Sequence, residues 1–160
     1  MKSAIEKRLN SIIGKRFSKT TRTLNLECLQ FGELTINGDR EVGEEAIHIN
    51  CDWRIVGKTL YIGSKDINFN KDGGYDRDID WDFETFRDVE MRELLKRNNL
   101  TVQSISADNF GGFEIEFDKS IYLQVIPMTS SKDWVNEYWR ILKPGDNITE
   151  HFVVTSRDIQ

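Results

Sequence analysis

Between residues 45 and 56, His48, Asn50, Asp52 and Arg54 share one parity, while Ile47, Ile49, Cys51, Trp53 and Ile55 share the other. Alternate side chains of an extended strand leave opposite faces, so this spacing lines up an imidazole, an amide, a carboxylate and a guanidinium. Such a row suits holding an anion, or acid–base work where the imidazole finds a partner. Trp–Arg recurs at Trp139–Arg140. A polar cleft gathering His48, Asp52, Arg54, Asp66, Arg140 and His151 would make a small-molecule site, of anion-binding or hydrolytic type. The competing reading makes both tryptophans core and pairs Arg54 with Asp52 or an acid on a neighbouring strand.

Other chemistries fit less well. His48 and Cys51 stand three apart on a strand and project from opposite faces, so that strand does not make them a nucleophile–base pair. Cys51 falls on the apolar parity and is expected to be an inert thiol. Neither Gly-x-x-x-x-Gly-Lys-Ser/Thr nor Gly-x-Gly-x-x-Gly occurs between a strand and a helix, which argues against a P-loop or dinucleotide fold. The two histidines and two cysteines lack zinc-site spacing. The run Asp72, Asp76, Asp78, Asp80, Asp82 fails as an EF-hand, because a loop starting at Asp76 puts Trp81 at the glycine position and Arg87 at the bidentate glutamate. Glu114, Glu116 and Lys119 match a metal-dependent nuclease site only loosely, because carboxylates alternating with Ile115 and Phe117 are more simply the wet face of a strand. No metal and no cofactor are expected.

The acidic run is instead the strongest electrostatic feature. The 160-residue chain carries a formal charge of −5, yet its first 22 residues set seven bases against Glu6, leaving −11 on the remainder. Residues 72–93 alone hold nine acids and three bases. Nucleic acid would be repelled by everything except the N-terminal arm, and the four tryptophans lack the basic groove that single-strand binding requires. Two cysteines make no disulfide scaffold, and no apolar run reaches the ~18 residues that span a bilayer. We therefore expect a cytoplasmic protein that binds neither nucleic acid nor membrane; oligomeric state is left open.

Ser3 and Glu6 have capping-box spacing ahead of a helix over 4–13. A second helix, over 83–98, follows Asp82 as its cap, with Phe83, Phe86, Met91, Leu94 and Leu95 on one face. Period-two alternation predicts strands at 23–31, 33–37, 45–56, 60–62, 102–105, 113–117, 121–125, 138–142 and 151–154. Residues 131–142 suit either a helix, through Trp134, Tyr138 and Ile141, or a turn followed by the strand at 138–142; the second is preferred. The expected class is α+β, a mainly antiparallel sheet of about nine strands built from hairpins, with two helices. One domain covers 1–160, with a basic helix and arm at 1–22 and a sheet core at 23–155.

The segments Ala46–Ile55, Gly63-Ser64-Lys65-Asp66, Glu137-Tyr138-Trp139-Arg140 and His151-Phe152-Val153-Val154 resemble a family of uncharacterised small bacterial proteins. Those proteins carry a Leu-His-x-x-Cys-x-Trp-Arg strand, a Gly-Ser-x-Asp segment and a Trp-Arg…His-Phe-Val-Val ending. Ile47 stands here where leucine is usual, and the basic N-terminal helix is a departure. The resemblance implies a small bacterial protein without an established activity. In size and charge the chain is also similar to immunity proteins that block bacterial toxins. The functional expectation is thus a non-enzymatic interaction protein, an immunity-type inhibitor holding a basic toxin through Asp72, Asp76, Asp78 and Asp80. The alternative is an anion-binding or hydrolytic domain using Arg54, Arg140 and His151.

Overall fold

The computed structural model describes residues 1–129, 135–145 and 147–160. Trp134 and the turn expected before residue 138 therefore lie outside the described residues. Helix α1, Lys2–Leu9, runs on into a 3-10 turn over Asn10–Ile12. Then come β1 Phe17–Thr23, β2 Leu26–Phe31, β3 Thr35–Asn37, β4 Arg40–Val42, β5 Glu45–Ile49, β6 Asp52–Val56 and β7 Tyr61–Gly63. A 3-10 segment, Ser64–Asn68, and an irregular stretch lead to α2, Phe86–Arg97. The chain closes with β8 Val102–Ala107, β9 Phe113–Phe117, β10 Ile121–Ile126, β11 Glu137–Leu142 and β12 Phe152–Thr155.

The class is α+β with antiparallel sheets and two helices, but the single sheet of about nine strands is replaced by three sheets holding twelve strands among the described residues. Their orders are β1-β2-β5-β11-β12, β7-β6-β10-β9-β8 and the small hairpin β3-β4. The alternation over 45–56 is carried by two strands, β5 and β6, one in each large sheet, joined by a bend at Asn50–Cys51. Asn50 N–H still donates to Tyr138 O at 2.8 Å before the chain leaves the first sheet. The parity survives the bend because the core lies between the two sheets, so the face that is inward in one remains inward in the other. Ile47, Ile49, Trp53 and Ile55 are buried. Rings from the two layers meet in the same core: Phe113 of β9 stands edge-on to Trp139 of β11 at 4.8 Å, and Phe17 of β1 stacks on Phe117 of β9 at 5.6 Å. Each such side chain taken fully out of water contributes ~1.5–3 kcal/mol.

The arm expected at 1–22 belongs to this core. Ile5, Leu9, Ile12 and Phe17 are fully or almost fully buried, and the segment ends in the strand β1. The Ser3–Glu6 box does not form, because the helix already begins at Lys2 and Glu6 instead accepts the Ala107 N–H at 3.2 Å. In α2 the cap is Thr85, not Asp82. Asp88 Oδ2 accepts both the N–H and the hydroxyl of Thr85 at 2.9 Å, which starts the helix three residues later and leaves Phe83 72% exposed.

Two glutamates on the inner face of the first sheet anchor the helices. Glu45 is 3% exposed and accepts Arg8 at 2.7 Å and Ser11 at 2.8 Å from the α1 segment. Glu27 is 2% exposed and takes a two-pronged bond from Arg87 of α2, including Nε to Oε2 at 2.8 Å. A buried carboxylate without such a partner would be expelled or protonated, so each pair fixes where its helix sits.

Among the described residues the four outer strand edges differ: β12 is bonded along its length, β8 is bonded at its first residue, and β7 is short. Val153 and Gln160 exchange backbone bonds of 3.0 and 2.9 Å along β12. Residues 14–15 bond Val102 of β8 at 2.9 and 3.0 Å, and β7 is three residues long. On β1 the N-terminal end is bonded to Leu100 through Phe17. Among the described residues nothing pairs with the outer backbone edge of 19–23.

Candidate functional site

The six residues expected to share a polar cleft occupy four places. His48 lies on the outer face of the first sheet, in a cross-strand row with Cys28, Arg140 and Val153. Arg140 Nη1 is 3.2 Å from His151 Nδ1, and its Nε donates to Glu137 Oε1 at 2.7 Å. Asp52 accepts Lys65 at 2.8 Å and Ser64 at 3.1 Å, beside a hollow of about 480 Å³ that includes Asn50, Cys51 and Tyr138. Asp66 is a local cap, its Oδ2 accepting the Gly63 N–H at 2.8 Å. Arg54 is on the outer face of the second sheet, where Nε donates to Gln124 at 2.6 Å and Gln124 donates on to Glu114 at 2.6 Å. The bend at residues 50–51 is what separates Arg54 from His48: equal parity placed both outside, but on different layers.

The row on the first sheet brings together Cys28 and His48, a thiol–imidazole pair that spacing within one strand could not reveal because its members come from adjacent strands. Its electrostatics are unfavourable to a nucleophile. Burial pushes the Cys28 thiol up against the smaller opposing effect of the Thr21 hydroxyl. Burial also pushes the His48 imidazole down, helped by the nearby Arg140 and His151 and opposed by Glu137. Near neutral pH both groups are therefore held uncharged, the reverse of a thiolate–imidazolium pair. Cys51 is pushed up to about 12, chiefly by burial, and makes an inert thiol. Among the described residues no group of three or more His, Cys, Asp or Glu is placed to hold a metal ion. No helix among them is long and apolar enough to cross a membrane.

The acidic run is built differently. From Asn70 to Glu84 every residue is exposed except Ile79 and Trp81, which are half-buried. Its backbone is held by its own short side chains: Asn70 Oδ1 accepts from Asp72 at 3.1 Å and Gly74 at 3.0 Å, Asp76 from Asp78 and Asp80 from Asp82 at 3.0 Å each. Asp72, Asp76, Asp78, Asp80 and Asp82 make no ion pair with any described residue. Two aromatic rings stand among them, Tyr75 at 70% exposure and Phe83 at 72%.

The far end of this loop is tied to β1. Arg22 donates to the carbonyls of Trp81 at 2.7 Å and Phe83 at 2.9 Å, and to Asp88 Oδ2 at 2.7 Å. Between β1, α2 and residues 81–84 runs a groove of about 710 Å³. Burial works to raise the Asp88 carboxyl, but the bonds from Arg22 and Thr85 outweigh it and hold the group at about 2. The Trp81 indole N–H is enclosed and meets no acceptor among the described residues. Compared with family models, curated proteins and solved structures, the chain matches none.

Proposed function

We propose that this protein is a non-enzymatic binding protein that captures a basic protein partner on the loop spanning residues 70–84, in the manner of an immunity-type inhibitor that neutralises a toxin. The observation that carries the reading is the state of the loop: five aspartates, all exposed and none paired with a described cation, on a backbone ordered by its own hydrogen bonds. A solvated acidic loop that merely served a helix N-terminus would sit against α2. That terminus is already served by Asp88 and Thr85. Unpaired charges speed encounter with an oppositely charged surface, and exposed rings beside them supply apolar area to bury once contact is made.

The test uses Asp72→Asn, Asp76→Asn, Asp78→Asn and Asp80→Asn together, which keep size and turn chemistry while removing four charges. A partner recovered by pull-down on the unmodified protein should associate at least tenfold more slowly with the quadruple variant at low salt. The difference should shrink above ~0.15 M, where the screening length is about 8 Å. A partner whose association rate survives the substitution and ignores salt would overturn the reading.

A further inference from the structure

We propose that the free edge of β1 receives an extended basic segment of the partner as an added strand, seated in the groove between β1 and residues 81–84. This rests on the acidic-loop reading above and deepens it by naming how the partner is held.

The lining of the groove carries the first part of the argument. All seven residues from 18 to 24 border it without a gap. Side chains of one parity would line a groove lying over a sheet face; both parities appear only where the groove runs along the strand's edge. Across 19–23 that edge has no backbone partner among the described residues, whereas β12 is bonded along its edge, β7 is short, and β8 is bonded to residues 14–15 at Val102 and gives its Ala107 N–H to Glu6 of α1. Exposed edges are templates for another strand and are normally blunted by charge. Here the two blunting charges are already engaged within the chain: Lys19 pairs with Glu41 at 3.0 Å, and Arg22 reaches across to Asp88 and the carbonyls of residues 81 and 83.

The opposite wall determines the occupant. It offers apolar surface from Trp81, Phe83 and Leu95; its arginines, Arg87 and Arg92, are paired with Glu27, Asp88 and Glu84, which leaves Asp82 as the charge of this wall in no ion pair with a described residue. Asp80 and Asp78 continue that unpaired charge away from the groove. A strand alternating apolar and basic residues meets the wall with one set and these carboxylates with the other. A second copy of the chain fits worse, because two β1 edges paired about a twofold would bring two acidic loops to one interface.

The probe is a ten-residue peptide alternating lysine and valine, with two derivatives N-methylated at alternate residues, one set or the other. Alternate N–H groups of a strand point to the same edge, so one methylated set abolishes pairing and the other leaves it intact. The expected result is hydrogen-exchange protection of amides in residues 19–23 on adding the parent peptide. One methylated peptide should bind at least tenfold more weakly, and the other like the parent. If both bind like the parent while Asp78→Asn, Asp80→Asn and Asp82→Asn together abolish binding, strand addition is wrong and the acidic-loop reading stands. If neither methylation nor the aspartate substitutions matter, both are wrong. Absence of parent-peptide binding overturns strand addition, as does a dimer in sedimentation whose 19–23 amides are protected without peptide.

Discussion

Replacing Arg87 by methionine should destabilise the protein by ~3–5 kcal/mol, because it strips the partner from a carboxylate that water cannot reach. Glu27 is 2% exposed, and Arg87 supplies it with Nε at 2.8 Å and Nη2. The Thr20 hydroxyl alone would remain as donor to that carboxylate. Burial pushes the Arg87 guanidinium down to about 10, with Asp88 opposing, so it is still charged at neutral pH and its loss removes a full positive charge. Against a typical domain stability of ~5–15 kcal/mol the loss is large. With an m-value of about 2 kcal/mol/M, a loss of ~4 kcal/mol lowers the urea midpoint by ~2 M. Glu27→Leu combined with Arg87→Met removes both charges and fills the space with apolar atoms, so the double variant should recover most of the loss and lie within ~1 kcal/mol of the parent. Equilibrium urea unfolding of the parent, both single variants and the double variant gives the coupling energy directly. A single Arg87→Met loss below ~1 kcal/mol, or a double variant that loses the sum of the singles, would refute the claim that this pair fixes α2 on the sheet.

Asp88→Asn tests the neighbouring contact through pH. A carboxyl held at about 2 in the folded protein, against 3.8 for the ordinary group, adds stability that is present above pH ~4 and disappears as pH falls through 2. Allowing for the fifth of the side chain that water reaches, the variant should lose ~1–2 kcal/mol at pH 7 and only a small remainder of that at pH 2; equal losses at both would contradict the assignment. Cys51, held at about 12, should resist iodoacetamide at pH 8 in the folded protein and react at the rate of a free thiol in urea. Rapid labelling of native Cys51 would show that the bend at residues 50–51 opens.

Local pattern determined which side chains are buried more firmly than it determined the sheets. The alternation Ile47, Ile49, Trp53, Ile55 against Asn50 and Arg54 is a property of any extended chain with one wet face, so it could be read from sequence and holds across the bend. Which sheet each half joins depends on partners far away, β11 and β2 for β5 and β10 for β6, and no local residue type announces them. For the same reason Arg54 and His48 shared a parity and yet stand on different layers. The basic segment at 1–22 looked like an arm because Lys19 and Arg22 obscure the period-two signal of β1; its place in the sheet comes from pairing with β2, and its charges are absorbed by Glu41, Asp88 and loop carbonyls. The acidic run was legible as charge, since five aspartates within eleven residues need no fold to be counted. That Asp82 stands unpaired beside the edge of β1 was decided by tertiary structure alone, because only the closing of α2 and residues 81–84 against β1 brings an edge, a wall and a charge into one groove.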